Sequence, residues 1–255
     1  MRVVVAQASD VGAAALVARW RAAGYDAGLL TVADLSVPGW VHDPGAPERG
    51  RAVIEARALP TRELRAVVTR LPAVVPADVA WIDEQDRAYA AAEMHAFLWA
   101  WLSALPCPVL NRPSAGCLAG PAWTAEEWLA RARRLGIPAP PSVRSGRFGA
   151  EVPQRPPVEG RKAAVHVVGD RAFAANRSEP ARAELERLAL RVAEDARAEL
   201  LCVEFRVDPS AGVHMAGAGP WVDMFDDDVA VAVGARCGVE EPSSATAVAL
   251  SESAA

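Results

Sequence analysis

The sequence predicts an α/β protein: a mostly parallel, doubly wound sheet, followed by a smaller region of hairpin, helix and strands. Three observations carry this reading. The chain opens on an apolar run, Arg2 to Ala6, and continues into helical spacing (Ala15, Leu16, Ala18, Trp20) that stops at Gly24. Short apolar strands then recur, separated by helix or loop. In the second half, Ala164 to Val168 and Arg171 to Ala175 flank Gly169-Asp170, a pair suited to a two-residue hairpin turn.

After the first strand and helix, Leu29 to Val32 reads as a strand, with Val53-Ile54-Glu55 and Ala66 to Thr69 as further short ones. Pro38 to Gly50 is rich in Pro, Gly and charge and reads as a surface loop. Asp86 to Leu105 reads as a helix with a broad Trp/Leu face, and Cys107 to Leu110 returns to the sheet. Thr124 with Glu126 and Glu127 starts a helix that Gly136 and Pro138 end. Pro138 to Gly160, dense in Pro, Gly and Arg, reads as linker. Beyond the hairpin, Glu179 to Ala198 is an amphipathic helix, Leu200 to Val207 and Trp221 to Phe225 are strands, and Val229 to Cys237 is a short helix. Gly217-Ala218-Gly219 reads as a turn between late strands, with His214 in the same Gly-rich loop. The small, polar tail from Ser243 to Ala255 reads as disordered.

Composition narrows function. A length of 255 residues, 52% of them hydrophobic, allows a substantial core, and no apolar run reaches the ~18 residues of a membrane span. The N-terminal apolar run is too short for a signal peptide, so a cytoplasmic protein is the expectation. Net charge is −5 without a basic block, which gives nucleic-acid binding no support. Cys107, Cys117, Cys202 and Cys237 form no C-x-x-C pair, and neither a G-x-G-x-x-G nor a Walker sequence is present. Among 27 basic residues only Lys162 is a lysine, which excludes any mechanism that needs two.

Asp83 to Pro141 gives an acidic helix start, a Trp/Leu-rich face, a short strand ending at Asn111-Arg112-Pro113, and a second helix ending in Gly136-Ile137-Pro138. That order resembles the junction between the leading α/β domain and the nucleotide domain of ATP-grasp ligases, such as the glutathione-synthetase and ribosomal-protein glutamate-ligase groups. The resemblance implies a Rossmann-like pre-ATP-grasp domain over residues 1–113, then a helix and Pro/Arg-rich linker over 114–160. A truncated ATP-grasp-like α+β domain over 161–240 and a disordered tail over 241–255 complete it.

Such ligases join a carboxylate to an amine through an acyl phosphate, so the resemblance implies ATP and Mg2+ as cofactors. It also implies a small-molecule or peptide substrate, and a partner protein or homodimer. In the family, magnesium is held by an acid on one late strand and a Glu-x-Asn on the next. The first maps to Glu204, and Pro220 to Phe225 resembles the last strand, which places Asp223 at the Glu position and Phe225 at the Asn position. Phenylalanine cannot ligate magnesium, so Asp226, with Asp227 and Asp228, is the substitute, or else the acidic start of the next helix. Arg70, Asn111 and Arg112, at the ends of strands, and Lys162 are the candidate substrate or phosphate contacts.

Each residue has a plainer reading: Glu204 as a structural acid beside Arg206, Asp223 facing solvent, Asn111-Arg112-Pro113 as a turn, and His95 as packing. Two departures from the family stand out. The interval from Pro141 to Val165 is too short for the lysine-bearing lobe that clamps ATP, and Ala164 stands where the family has an arginine. The reading that follows is a degenerate ATP-grasp-like protein, without ligase activity on its own, acting as a binding or regulatory partner. Its alternative is an ATP-dependent carboxylate–amine ligase.

Overall fold

A computed structural model describes residues 1–140, 160–210 and 212–240. The linker segment 141–159 and the tail 241–255 lie outside the described residues, and with them the expectations of a shortened lid and a disordered terminus. The chain divides into two compact units, Met1–Val109 with the chain from Ala230 onward, and Leu110–Val229. Among the described residues no helix is long and apolar enough to cross a membrane.

The first unit is built on a sheet of strand order β2-β1-β5-β6, with β1 (Arg2–Val5) parallel to both β2 (Ala27–Leu30) and β5 (Ala66–Thr69). Val3, Val4 and Val5 are wholly buried, as a central strand covered on both faces requires. Helix α1 (Val11–Ala22) buries Ala13, Leu16, Val17 and Trp20. Asp10 caps it by accepting the Ala13 N–H at 2.9 Å, and Gly24 follows its end with φ +82°. The third expected strand, Val53 to Glu55, is shifted two residues toward the N-terminus at its start and ends before Glu55. β3 (Arg51–Ile54) turns through Glu55-Ala56 into β4 (Arg57–Pro60), with both turn residues left-handed. The buried Asp34 carboxylate steadies that turn by accepting the Ala56 N–H at 3.0 Å. Helix α2 (Glu84–Ala104) precedes the two-residue β6 (Val109–Leu110).

The second unit is a four-stranded antiparallel sheet of order β10-β9-β7-β8, with helices on one face. Its strands are β7 (Arg161–Val168), β8 (Arg171–Ala174), β9 (Leu200–Asp208) and β10 (Gly212–Gly219). Helix α3 (Ala125–Arg134) starts in a capping box, with Thr124 N–H to Glu127 at 2.8 Å and Glu127 N–H to Thr124 Oγ1 at 3.3 Å. Helix α4 (Arg182–Ala196) and Trp128 of α3 pack with Val165, Val167, Leu201, Val203 and Phe205 into one core. Helix α5 (Asp227–Arg236) is the last described helix and belongs from Ala230 onward to the first unit.

The expected last strand, Trp221 to Phe225, is not a strand. Pro220 removes a ladder donor, and Asp223 Oδ1 accepts the Phe225 N–H at 2.9 Å, folding the segment into a turn. The last strand is instead β10. It contains Gly217-Ala218-Gly219, expected to be a turn, and His214, expected to lie in a loop.

Candidate functional site

Alternation along β7 and β9 separates two faces. Val165, Val167, Leu201, Val203 and Phe205 enter the core, so their neighbours in sequence occupy the open face. The register pairs Lys162 with Arg206, Ala164 with Glu204, and His166 with Cys202. On the other side of β9, β10 sets His214 opposite Arg206, Gly217 opposite Glu204 and Gly219 opposite Cys202. Glu204 is exposed and flanked by alanine on one strand and glycine on the other.

Two clefts meet at Glu204, which lines both. One, of about 370 Å3, is walled by Trp123, Trp128 and Trp221 over the Gly217-Ala218-Gly219 floor. The other, of about 360 Å3, is lined by Lys162 and Arg206 with small residues between them. Both volumes suit a small ligand. Trp123 is held in place by Arg131, whose guanidinium lies 3.4 Å from its ring centroid.

The polar groups behind this face are committed to other roles. Burial, followed by the negative charges of Glu204 and Asp223, pushes the Cys202 thiol up to about 12, so it stays protonated and is no nucleophile. Burial holds His166 below its ordinary value and therefore neutral. Asp223 and Asp226 pull it up, and Arg177 opposes them. Arg177 Nη2 donates to both Asp226 oxygens at 2.9 Å and also pairs with Asp228 at 2.8 Å. Asp226 Oδ1 further accepts the Val229 N–H at 3.2 Å, which makes it the cap of α5.

Lys162 and Glu204 therefore share the open face. The other expected contacts lie elsewhere. Arg70, at the end of β5 in the first unit, is paired with the helix cap Asp10 (Nε to Oδ2, 2.8 Å), and only 12% of its side chain is exposed. Burial raises the Asp10 carboxyl, but the Arg70 and Ala13 hydrogen bonds and the Arg70 charge outweigh that and hold it below its ordinary value. Asn111 is 2% exposed, and its amide is engaged with backbone instead of facing a ligand. Nδ2 donates to Ala119 O (3.1 Å) and Leu200 O (2.8 Å), and Oδ1 accepts the Leu200 N–H (2.8 Å). Arg112 is exposed. A further cleft of about 290 Å3, lined by Gln7, Ser9, Thr31, Asp78 and Trp81, sits beyond the carboxyl ends of β1 and β2, and Arg70 is not among its lining residues.

No family model matches the sequence, and no curated protein does either. Solved structures do. The ATP-grasp ligase PsnB, complexed with a minimal precursor, Mg and ADP, is 16% identical at a TM-score of 0.66, with 93% of this chain and 98% of that chain covered. The macrocyclase MdnC from Microcystis aeruginosa MRC, bound with precursor peptide MdnA, is 14% identical at 0.62, covering 92% and 98%. A RiPP-associated ATP-grasp ligase from Chryseobacterium gregarium, in complex with ADP and a leader and core peptide, is 9% identical at 0.63, covering 93% and 96%. The chain has the fold of the ATP-grasp ligases.

The similar PsnB structure holds Mg and ADP, and the open face of this chain fits the two differently. A nucleotide's phosphates suit the Lys162/Arg206 cleft, and its base suits the tryptophan-walled one. Magnesium is not matched. It takes one or two protein carboxylates and completes its octahedron with phosphate and water. The β10 residues beside Glu204 are Ala216, at a bulge, and Gly217, with Gly219 next along the open face, and Asp226 is held by Arg177. Among the described residues no group of three or more His, Cys, Asp or Glu side chains is placed to hold a metal ion. Of the expected set, Glu204 stands on the open face, Asp223 Oδ1 accepts the Phe225 N–H, and Asp226 is paired with Arg177.

Proposed function

We propose that this chain binds a nucleotide and a peptide on the open face of its antiparallel sheet and serves ATP-dependent peptide ligation as a binding or regulatory partner, without completing the reaction on its own. The observation that carries this reading is the pair Gly217 and Gly219 opposite Glu204 and Cys202. Where an acyl-phosphate ligase needs oxygen ligands to neutralise transferring phosphate, this strand offers no side chain. Ala164 on the other flank offers none either. Peptide as the ligand class is supported by the precursor peptides bound in the similar PsnB and MdnC structures.

The alternative, an ATP-dependent carboxylate–amine ligase, is what the likeness to solved ligases favours over a non-catalytic partner. In either reading Lys162 and Arg206 hold phosphate charge, and the tryptophan cleft takes the flat base or an aromatic side chain. ATP turnover by the purified chain with magnesium separates the two. The partner reading expects none above the protein-free rate. Turnover that Glu204→Gln abolishes without lowering the melting temperature establishes the ligase.

A further inference from the structure

Glycine at positions 217 and 219 is not dictated by the backbone. Neither residue has a positive φ, and a Cβ built at Gly217 meets no atom within 4 Å. At Gly219 the first contact is Trp221 Cδ1 at 3.6 Å, an ordinary van der Waals distance. A Cβ fits at both, in a strand that glycine itself weakens. Their effect is to clear the surface beside the one exposed carboxylate on β9, Glu204.

We infer that the open face binds a nucleoside diphosphate without magnesium, its phosphates neutralised by Lys162 and Arg206 in place of a metal. This deepens the proposed function and rests on its nucleotide site, not on whether turnover occurs. The two cations line the cleft that Glu204 closes, 162 and 206 being cross-strand partners. Their charge-assisted hydrogen bonds supply attraction where metal coordination does not. Glu204 then repels phosphate instead of reaching it through a bridging ion. That inversion of sign separates the two kinds of site.

The test is calorimetric titration of the full chain with ADP, once in magnesium and once in EDTA. It is repeated for Glu204→Gln and Lys162→Gln, each checked for an unchanged melting temperature. The inference expects binding no tighter in magnesium than in EDTA. It expects Glu204→Gln to strengthen binding by up to about tenfold, and Lys162→Gln to weaken it by roughly tenfold. Binding that requires magnesium and is lost in Glu204→Gln overturns it, as does no binding in either condition. ATP turnover, read separately, bears on the partner reading alone, so failure of one is distinguishable from failure of the other.

Discussion

The two sheets of this protein treat polar side chains in opposite ways. In the first unit they satisfy one another. Asp10 caps α1 and takes Arg70, and Asp34 accepts from the Thr31 N–H at 2.9 Å and from the Ala56 N–H. In the second unit the core is apolar and charges pair at its margins, Arg161 with Glu179 and Arg177 with Asp226, while the open face sets Lys162, Glu204 and Arg206 among alanines and glycines. Charges that hold a fold together pair closely and lie partly buried. Lys162 and Glu204 stand instead on an open sheet face beside two clefts, where the ligand is proposed. The contrast supports the proposed site on β7, β9 and β10 over one at Arg70 and Asn111.

The largest effect should come from the stitching inside the second unit. Asn111→Ala deletes three buried hydrogen bonds and strands the Leu200 N–H, so a loss of about 2–3 kcal/mol is expected in denaturant unfolding. A cost within ~0.5 kcal/mol, typical of surface sites, would return Asn111 to the ligand contacts.

Next comes the first unit's ion pair. Asp10→Ala removes a helix cap and the partner of a largely buried arginine, for an expected loss of about 1–2 kcal/mol at neutral pH. Its pH dependence has a definite sign. The folded carboxyl lies below its ordinary value of 3.8, so its contribution is present above that pH and is lost as pH falls through the depressed folded value. Unfolding midpoints of Asp10→Ala and the unaltered protein should therefore converge in acid. A gap that widens in acid would contradict the assignment.

The smallest expected effect is a thiol that does nothing. With Cys202 pushed up to about 12, roughly one molecule in ten thousand is thiolate at pH 8. Alkylation of the native protein, mapped by mass spectrometry, should leave Cys202 unmodified until the protein unfolds. Rapid labelling would mean that the open face is less covered than the structure describes.

Much of this fold was legible in the sequence because burial on both faces writes continuous apolar runs, as at Val3 to Val5 and Ala66 to Thr69. The β7–β8 hairpin was legible through Gly169-Asp170, and α3 through Thr124 and Glu127. The last strand was not. Trp221, Val222 and Phe225 have strand-forming side chains, whereas Gly212–Gly219 has little intrinsic preference for a strand and owes its conformation to pairing with β9. That misplacement carried the metal candidates with it, onto Asp223 and Asp226 in a turn and a helix cap. Glu204 and Lys162 were singled out through the family resemblance, and the register places both on the open face. Gly217 and Gly219 left no such signal, since what matters about them is the side chain they lack.

The most direct test of the account is to put side chains back. The double variant Gly217→Glu, Gly219→Asn adds oxygen ligands opposite Glu204 and Cys202, at two positions where a Cβ meets no steric conflict. The account predicts that the variant, unlike the unaltered protein, binds ADP about tenfold more tightly in magnesium than in EDTA, or ~1.4 kcal/mol. A correctly folded variant that stays indifferent to magnesium, or an unaltered protein that already depends on it, would contradict the claim that these glycines set the character of the site.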